Sequence, residues 1–186
     1  MKSVRNVLYL VLAWTLAACG VTADHFPGTA VPPPVDLAGS WHMTLGETTS
    51  VFVLTPAASN HYQVMSPTSD EPAAPMDASI QAYRGAHYLV VADTAQSSGM
   101  SVFRIQGATP DLLRIAAFDP NKTEAVLKQR GLPVVYKKMW LYNEIALTGP
   151  ALEALLALPP ADVFAVHNVL TLTRQSLRGN INKEQK

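Results

Sequence analysis

The chain has 186 residues and carries 14 Lys and Arg against 14 Asp and Glu, a formal net charge of zero with the histidines neutral. That balance, with only 15% charged residues, gives no electrostatic basis for binding nucleic acid. A single cysteine excludes an internal disulfide and a cysteine-based zinc site, while 48% hydrophobic content is ordinary for one folded domain.

In chain order, Lys2 and Arg5 form a short basic start, and Val7 to Ala18 form an apolar run broken only by Thr15. The run closes on Leu16-Ala17-Ala18-Cys19. A basic start, a short apolar core and small residues before a cut describe a cleaved export signal. At about 12 residues the core falls short of the roughly 20 that a bilayer-crossing helix needs. With cysteine at the first position after the cut, the stretch resembles the lipobox of bacterial lipoproteins. The resemblance implies cleavage before Cys19 by signal peptidase II, a diacylglycerol on its thiol and an acyl chain such as palmitate on the new amine. One buried chain holds a protein marginally, and two or more hold it stably. Position 20 is Gly, not the Asp that resembles an inner-membrane retention signal, which implies an outer membrane location facing the periplasm. Loss of residues 1–18 removes Lys2 and Arg5, leaving 12 basic and 14 acidic side chains, a charge of −2.

Residues 19–35 read as the lipidated cysteine and a tether, with Pro27, Gly28 and Pro32-Pro33-Pro34 and little that packs. In polyproline II, at about 3.1 Å per residue, such a tether reaches up to roughly 50 Å. Residues 36–174 form a single β-rich body, and residues 175–186 a flexible polar tail. Within the body, Trp41, Met43 and Leu45 alternate with His42 and Thr44, and Val51 to Thr55 runs to Pro56. Strands are expected at His61 to Met65, Ile80 to Arg84, His87 to Ala92, Met100 to Ile105 and Leu112 to Phe118, with Pro67 to Asp77 a loop. Trp140 to Leu147 and Val169 to Arg174 complete the set. Short period-two runs punctuated by Gly, Pro, Asn and Asp predict a mainly β fold, an antiparallel barrel or sandwich. Two short helices interrupt the late strands. Asp119-Pro120 opens one that Gly131 closes, and Thr148 or Gly149 before Pro150 opens the other, which Pro159-Pro160 stops.

Face assignment isolates one anomaly. Arg104 and Arg114 alternate with Phe103, Ile105, Leu113 and Ile115 and so face water, whereas Arg174 shares parity with the inward Leu170 and Leu172. An inward guanidinium needs a partner, and a Trp face supplies one. Gly39-Ser40-Trp41 at the first strand of the body resembles the Gly-x-Trp opening of lipocalins and related small barrels. In that group a late-strand arginine packs across this tryptophan and seals the barrel floor, so the resemblance implies a Trp41–Arg174 pair closing the barrel. The middle Thr-Asp-Tyr motif of the family has no counterpart, since Asp93-Thr94 is in the wrong order, and the helices lie between late strands rather than after the last.

The sequence contains no Gly-x-Ser-x-Gly elbow, no His-Glu-x-x-His and no phosphate-cradling glycine loop. His25, His42, His61, His87 and His167 lack metal-ligand spacing, so neither a catalytic residue, a metal site nor a cofactor is expected. Tyr136-Lys137-Lys138-Met139-Trp140-Leu141-Tyr142 combines aromatics and Met with lysines, and Lys137, Lys138, Trp140 and Tyr142 are the candidate contact surface. If its alternate residues are exposed rather than core-filling, it is a partner or membrane-surface patch. These readings describe a non-enzymatic binding module on a lipid anchor. Its partner is either a periplasmic protein, as for an immunity or inhibitor lipoprotein or an accessory part of an envelope machine, or a small apolar ligand inside the barrel. A barrel of about eight strands either fills itself with side chains or encloses one small ligand, and large inward residues such as Trp41, Phe103 and Phe118 favour filling.

Overall fold

The computed structural model describes residues 20–45, 48–57, 60–66, 75–93, 99–138, 143–165 and 169–175. The described strands are β1 (Val21–Ala23), β2 (Thr29–Ala30), β3 (Gly39–Leu45), β4 (Thr48–Pro56), β5 (His61–Met65), β6 (Met76–Tyr83) and β7 (Ala86–Asp93). After them come β8 (Met100–Thr109), β9 (Leu112–Ala117), helix α1 (Pro120–Gln129), β10 (Val135–Lys138) and β11 (Asn143–Leu147). Helices α2 (Gly149–Leu156) and α3 (Pro160–Val163) precede the last strand, β12 (Leu170–Arg174).

Strands β3 to β9 each pair antiparallel with the next along the chain, and β12 closes the ring by pairing with both β9 and β3. The result is an eight-stranded antiparallel barrel, not a sandwich. Tight turns at the floor end explain the register. Arg84 (φ 49°) and Gly85 (φ 75°) both adopt left-handed backbone between β6 and β7, the two-residue turn whose twist matches the flanking strands. Alternate residues then point into the lumen, among them Trp41, Met43, Phe52, Leu54, Val64, Ile80, Leu89, Phe103, Leu113, Ile115 and Leu172.

A second core lies outside the ring. Tyr88, Val90, Val102 and Ala116, on the outward faces of β7, β8 and β9, are buried under β1, β11 and the helices, together with Phe26, Leu127, Ile145, Leu152 and Leu155. Three wall strands are thus covered on both faces, which is why Leu89-Val90-Val91 and Val102-Phe103 are continuous apolar runs. Phe118 belongs to this outer core, stacked on Phe164 at 4.5 Å between ring centroids, not to the lumen. It shares parity with Ala116 and Arg114, opposite Leu113 and Ile115.

Residues 20–35 are not a tether. Val21, Ala23 and Phe26 are buried, β1 pairs in parallel with β11, and β2 with Val31 extends the edge of β6. Proline there limits which backbone groups donate without preventing the apolar residues between from packing. The body therefore begins at Gly20 among the described residues, and residues 1–19, with Cys19, lie outside them. Gln175 still bonds to the Ser40 carbonyl at 2.8 Å, and residues 176–186 lie outside the described residues. Asn143 to Leu147 of the strand expected from Trp140 form β11, paired antiparallel with β10, while Trp140 to Tyr142 lie outside the described residues; Met76 and Asp77 belong to β6 rather than a loop.

The helix starts follow the sequence cues. The Asp119 carboxylate accepts from the Asn121 and Lys122 amides at 3.0 and 3.2 Å, and Gly131 (φ 65°) follows the last turn of α1. Leu152, Leu155 and Leu156 of α2 are buried on the sheet. Pro160, expected only as a stop, opens α3, because proline at a first helical position has no amide to leave unpaired.

Candidate functional site

The barrel floor is built around Trp41. Gly39 opens β3 at φ +126°, a conformation that a side chain disfavours, and this sets the indole inside the lumen. Its Nε1 donates to the Leu37 carbonyl at 2.8 Å. Arg174 is the direct cross-strand partner of Trp41, and its guanidinium carbon stands 4.8 Å from the ring centroid. The same guanidinium donates to the Asp36 carbonyl, while its buried Nε has no partner among the described residues.

Above this floor the lumen is lined by Trp41, Met43, Phe52, Leu54, Val64, Met76, Leu89, Val91, Phe103, Leu113, Ile115, Leu170 and Leu172, without an ionisable group. The space left between them is about 60 Å³. Small-molecule sites run to roughly 300–1,000 Å³, so side chains fill most of this interior.

Outside, the barrel has two unlike sides. One carries the helices, β1 and the β10–β11 hairpin. On the other, formed by β12, β3, β4 and β5, no helix or further strand packs among the described residues. Its outward positions are Ser40, His42, Thr44, Thr49, Val51, Val53, Thr55, His61, Gln63, Met65, Thr171 and Thr173, with no Lys, Arg, Asp or Glu among them. Met65 is 43% exposed beside Val53, its cross-strand partner. Sequence reading passed over this wall because its residues are dispersed along the chain and individually unremarkable. The available signal was the scarcity of charge on four amphipathic strands.

At the edge of the wall, His61 Nδ1 lies 2.9 Å from the Asp77 carboxylate. Ser79 is directly opposite His61 in register, but it is buried and its hydroxyl accepts from Gln81 at 3.1 Å rather than from the imidazole. The arrangement lacks the nucleophile–base bond of a hydrolytic triad. Among the described residues no three His, Cys, Asp or Glu side chains converge as metal ligands.

The hairpin candidate divides. Trp140 and Tyr142 lie outside the described residues. Val135 and Tyr136 on β10 are 46% and 49% exposed, Lys138 is exposed and Lys137 is half-buried. The Tyr136 hydroxyl bonds to Glu124 of α1, which also pairs with Lys128. Behind β10, a groove of about 350 Å³ is bounded by Thr22, Asp24, Val135, Lys137 and Thr148, and the buried Glu144 carboxylate beside it accepts from the Thr22 hydroxyl. Neither a family model, a curated protein nor a solved structure matches the chain.

Proposed function

We propose that this protein is a lipid-anchored, non-enzymatic binding module of the bacterial envelope whose partner is a protein of the periplasm. The observation that carries the reading is the wall of β12, β3, β4 and β5, whose outward strand positions carry no formal charge among the described residues and include exposed Met65 and the partly exposed Val51 and Val53. Interface cores are depleted of charge and enriched in Met and aromatics, whereas an idle surface is normally salted with Lys and Glu. The small lumen supports a protein partner over a carried ligand, since about 60 Å³ is well under the volume that holds even a benzene-sized guest. The anchor rests on the lipobox resemblance at Leu16 to Cys19, with the outer membrane as destination. The up-and-down strand order and the position of Arg174 over Trp41 support the lipocalin-like reading of the architecture. Immunity or inhibitor protein and accessory part of an envelope machine are the two roles this design suits.

A photo-reactive side chain at Met65 or Gln63 in the native host tests the reading. Protein adducts should form from these positions and not from Glu153 or Arg130 on the helical side, and Val53→Glu should abolish them while leaving the far-UV spectrum unchanged. An apolar small molecule that co-purifies in the lumen, with no protein adduct from the wall, would favour the carrier reading instead.

A further inference from the structure

Six methionines stand in the chain, and the four among the described residues sit in unlike settings. Met43 is 4% exposed inside the lumen, Met76 lines the same space half-buried, and Met100 packs half-buried against the outer core. Met65, at 43% exposure, is the open one of the four. Strand parity places it there, since β5 turns Tyr62 and Val64 inward and His61, Gln63 and Met65 outward.

The neighbours of Met65 make it part of a centre. Val53 is directly opposite on β4, and Val51 is the next outward residue of that strand. Around these three stand Ser40 and His42, opposite Val53 and Val51, with Thr49 and Thr55 on β4 and Gln63 on β5. Hydroxyl, imidazole and amide groups thus rim a small apolar centre. Interface energy concentrates in such centres, inside polar surroundings that exclude water. Val51 and Val53 are chemically inert, whereas the sulfur of an exposed methionine carries a reactive lone pair.

We propose that Met65 is a reversible oxidation site that switches docking on the wall, the thioether form binding the protein partner and the sulfoxide form releasing it. This rests on the protein-partner reading above. The oxidant is a peroxide. The sulfur lone pair attacks one peroxide oxygen, and an S–O bond forms as the O–O bond breaks. The other oxygen keeps both peroxide protons and leaves as water, so sulfur loses the two electrons that the peroxide gains. A thiol-dependent sulfoxide reductase reverses the step, releasing the oxygen as water while two thiols join as a disulfide.

The change acts on binding and spares the fold. On the free wall the sulfoxide oxygen is hydrated, so the barrel tolerates it. Val51 and Val53 offer that oxygen no donor, so a partner covering the centre strips its water without replacing the bond, which is unfavourable. The same oxygen on Met43 would lie in a lumen lined by apolar side chains, where it would oppose folding instead.

Two measurements test the proposal. In the first, the purified full chain is treated with hydrogen peroxide and its methionines are read by peptide mass spectrometry. At a dose that oxidises half of Met65, Met43 should be modified about tenfold less, because susceptibility follows exposure. The far-UV spectrum should stay unchanged, and in concentrated urea the two residues should react alike. Met43 reacting as fast as Met65 in the folded chain overturns the proposal. In the second, envelope preparations from the native host carry the photo-reactive side chain at Gln63. Peroxide should lower the protein adduct by about tenfold, the loss expected on damaging one residue at the centre of an interface, and sulfoxide reductase should restore it. Met65→Leu should keep the adduct through the same treatment, and Met65→Gln should lack it without any peroxide. An adduct unchanged by oxidation of Met65, or lost equally in Met65→Leu, overturns the switch and leaves the wall as a docking face. Absence of any adduct before oxidation removes the protein-partner reading and the switch with it.

Discussion

Breaking the floor of the barrel at Trp41 and Arg174 should reveal coupled rather than independent losses. Trp41 is fully buried, its indole fills the end of the lumen, and its Nε1–H is satisfied by the Leu37 carbonyl. Trp41→Ala leaves a large cavity and an unpaired carbonyl, a cost of about 3–5 kcal/mol. With a urea slope near 2 kcal/mol per molar, the unfolding midpoint should fall by roughly 1.5–2.5 M. Arg174→Ala removes a stacked guanidinium at 4.8 Å from the indole and its bond to the Asp36 carbonyl. A partly desolvated cation–π contact is worth about 0.5–2 kcal/mol. The same substitution also deletes a buried Nε without a partner, whose desolvation opposes that gain, so the net loss should stay near 1–2 kcal/mol. Since the ring and the guanidinium share one contact, the double variant should lose less than the two single losses added, with a coupling above about 0.5 kcal/mol. Arg174→Lys, which keeps the charge but not the planar fork, should recover only part of it. Additive losses across the cycle would refute the pairing as an energetic unit and leave Trp41 as an ordinary core residue.

A soluble chain beginning at Val35 discards β1 and Phe26, so it should be less stable than one beginning at Gly20 by about 3 kcal/mol or more, as for emptying one aromatic site; equal urea midpoints would refute the packing of residues 20–35. Both should give strand-dominated far-UV spectra where folded, and a mainly helical spectrum would overturn the barrel. Hydrogen bonds from Lys128, and next from Tyr136, hold the Glu124 carboxyl below the ordinary carboxylate range. A carboxylate depressed in the folded state stabilises above its unfolded pKa, and that contribution fades as pH falls through its folded value. Tyr136→Phe should therefore raise the Glu124 midpoint in a carbon-detected NMR titration, and an unmoved midpoint would show that the hydroxyl contributes nothing. Cys19→Ser should abolish incorporation of radioactive palmitate and leave an uncleaved or mislocalised precursor, whereas a wild-type chain that stays unlabelled in a bacterial host would end the anchor reading.

Some of this protein is determined locally. Period-two alternation around Trp41, Phe103 and Ile115 specifies strands with one face inward, because successive side chains on an extended backbone point to opposite sides. Asp119-Pro120 places a helix start through the acceptor its carboxylate offers to two orphan amides. The parity of Arg174 with Leu170 and Leu172 is legible too, and the resemblance carried by Gly39-Ser40-Trp41 is what names Trp41 as its partner. What the sequence did not determine depends on contacts between distant residues. Val21, Thr22 and Ala23 look no different from linker chain until β11 is laid beside them, since a parallel pairing with residues 145–147 leaves no local signature. Parity puts Phe118 and Leu113 on opposite faces, and only the helices packed outside the ring make the outer face a second core rather than a wet surface. The uncharged wall is a property of four strands that no short window contains. Alternation tells each strand that it has two faces. Which face meets water, lipid or another protein is decided when the strands close, because exposure belongs to the assembled surface and not to the residue.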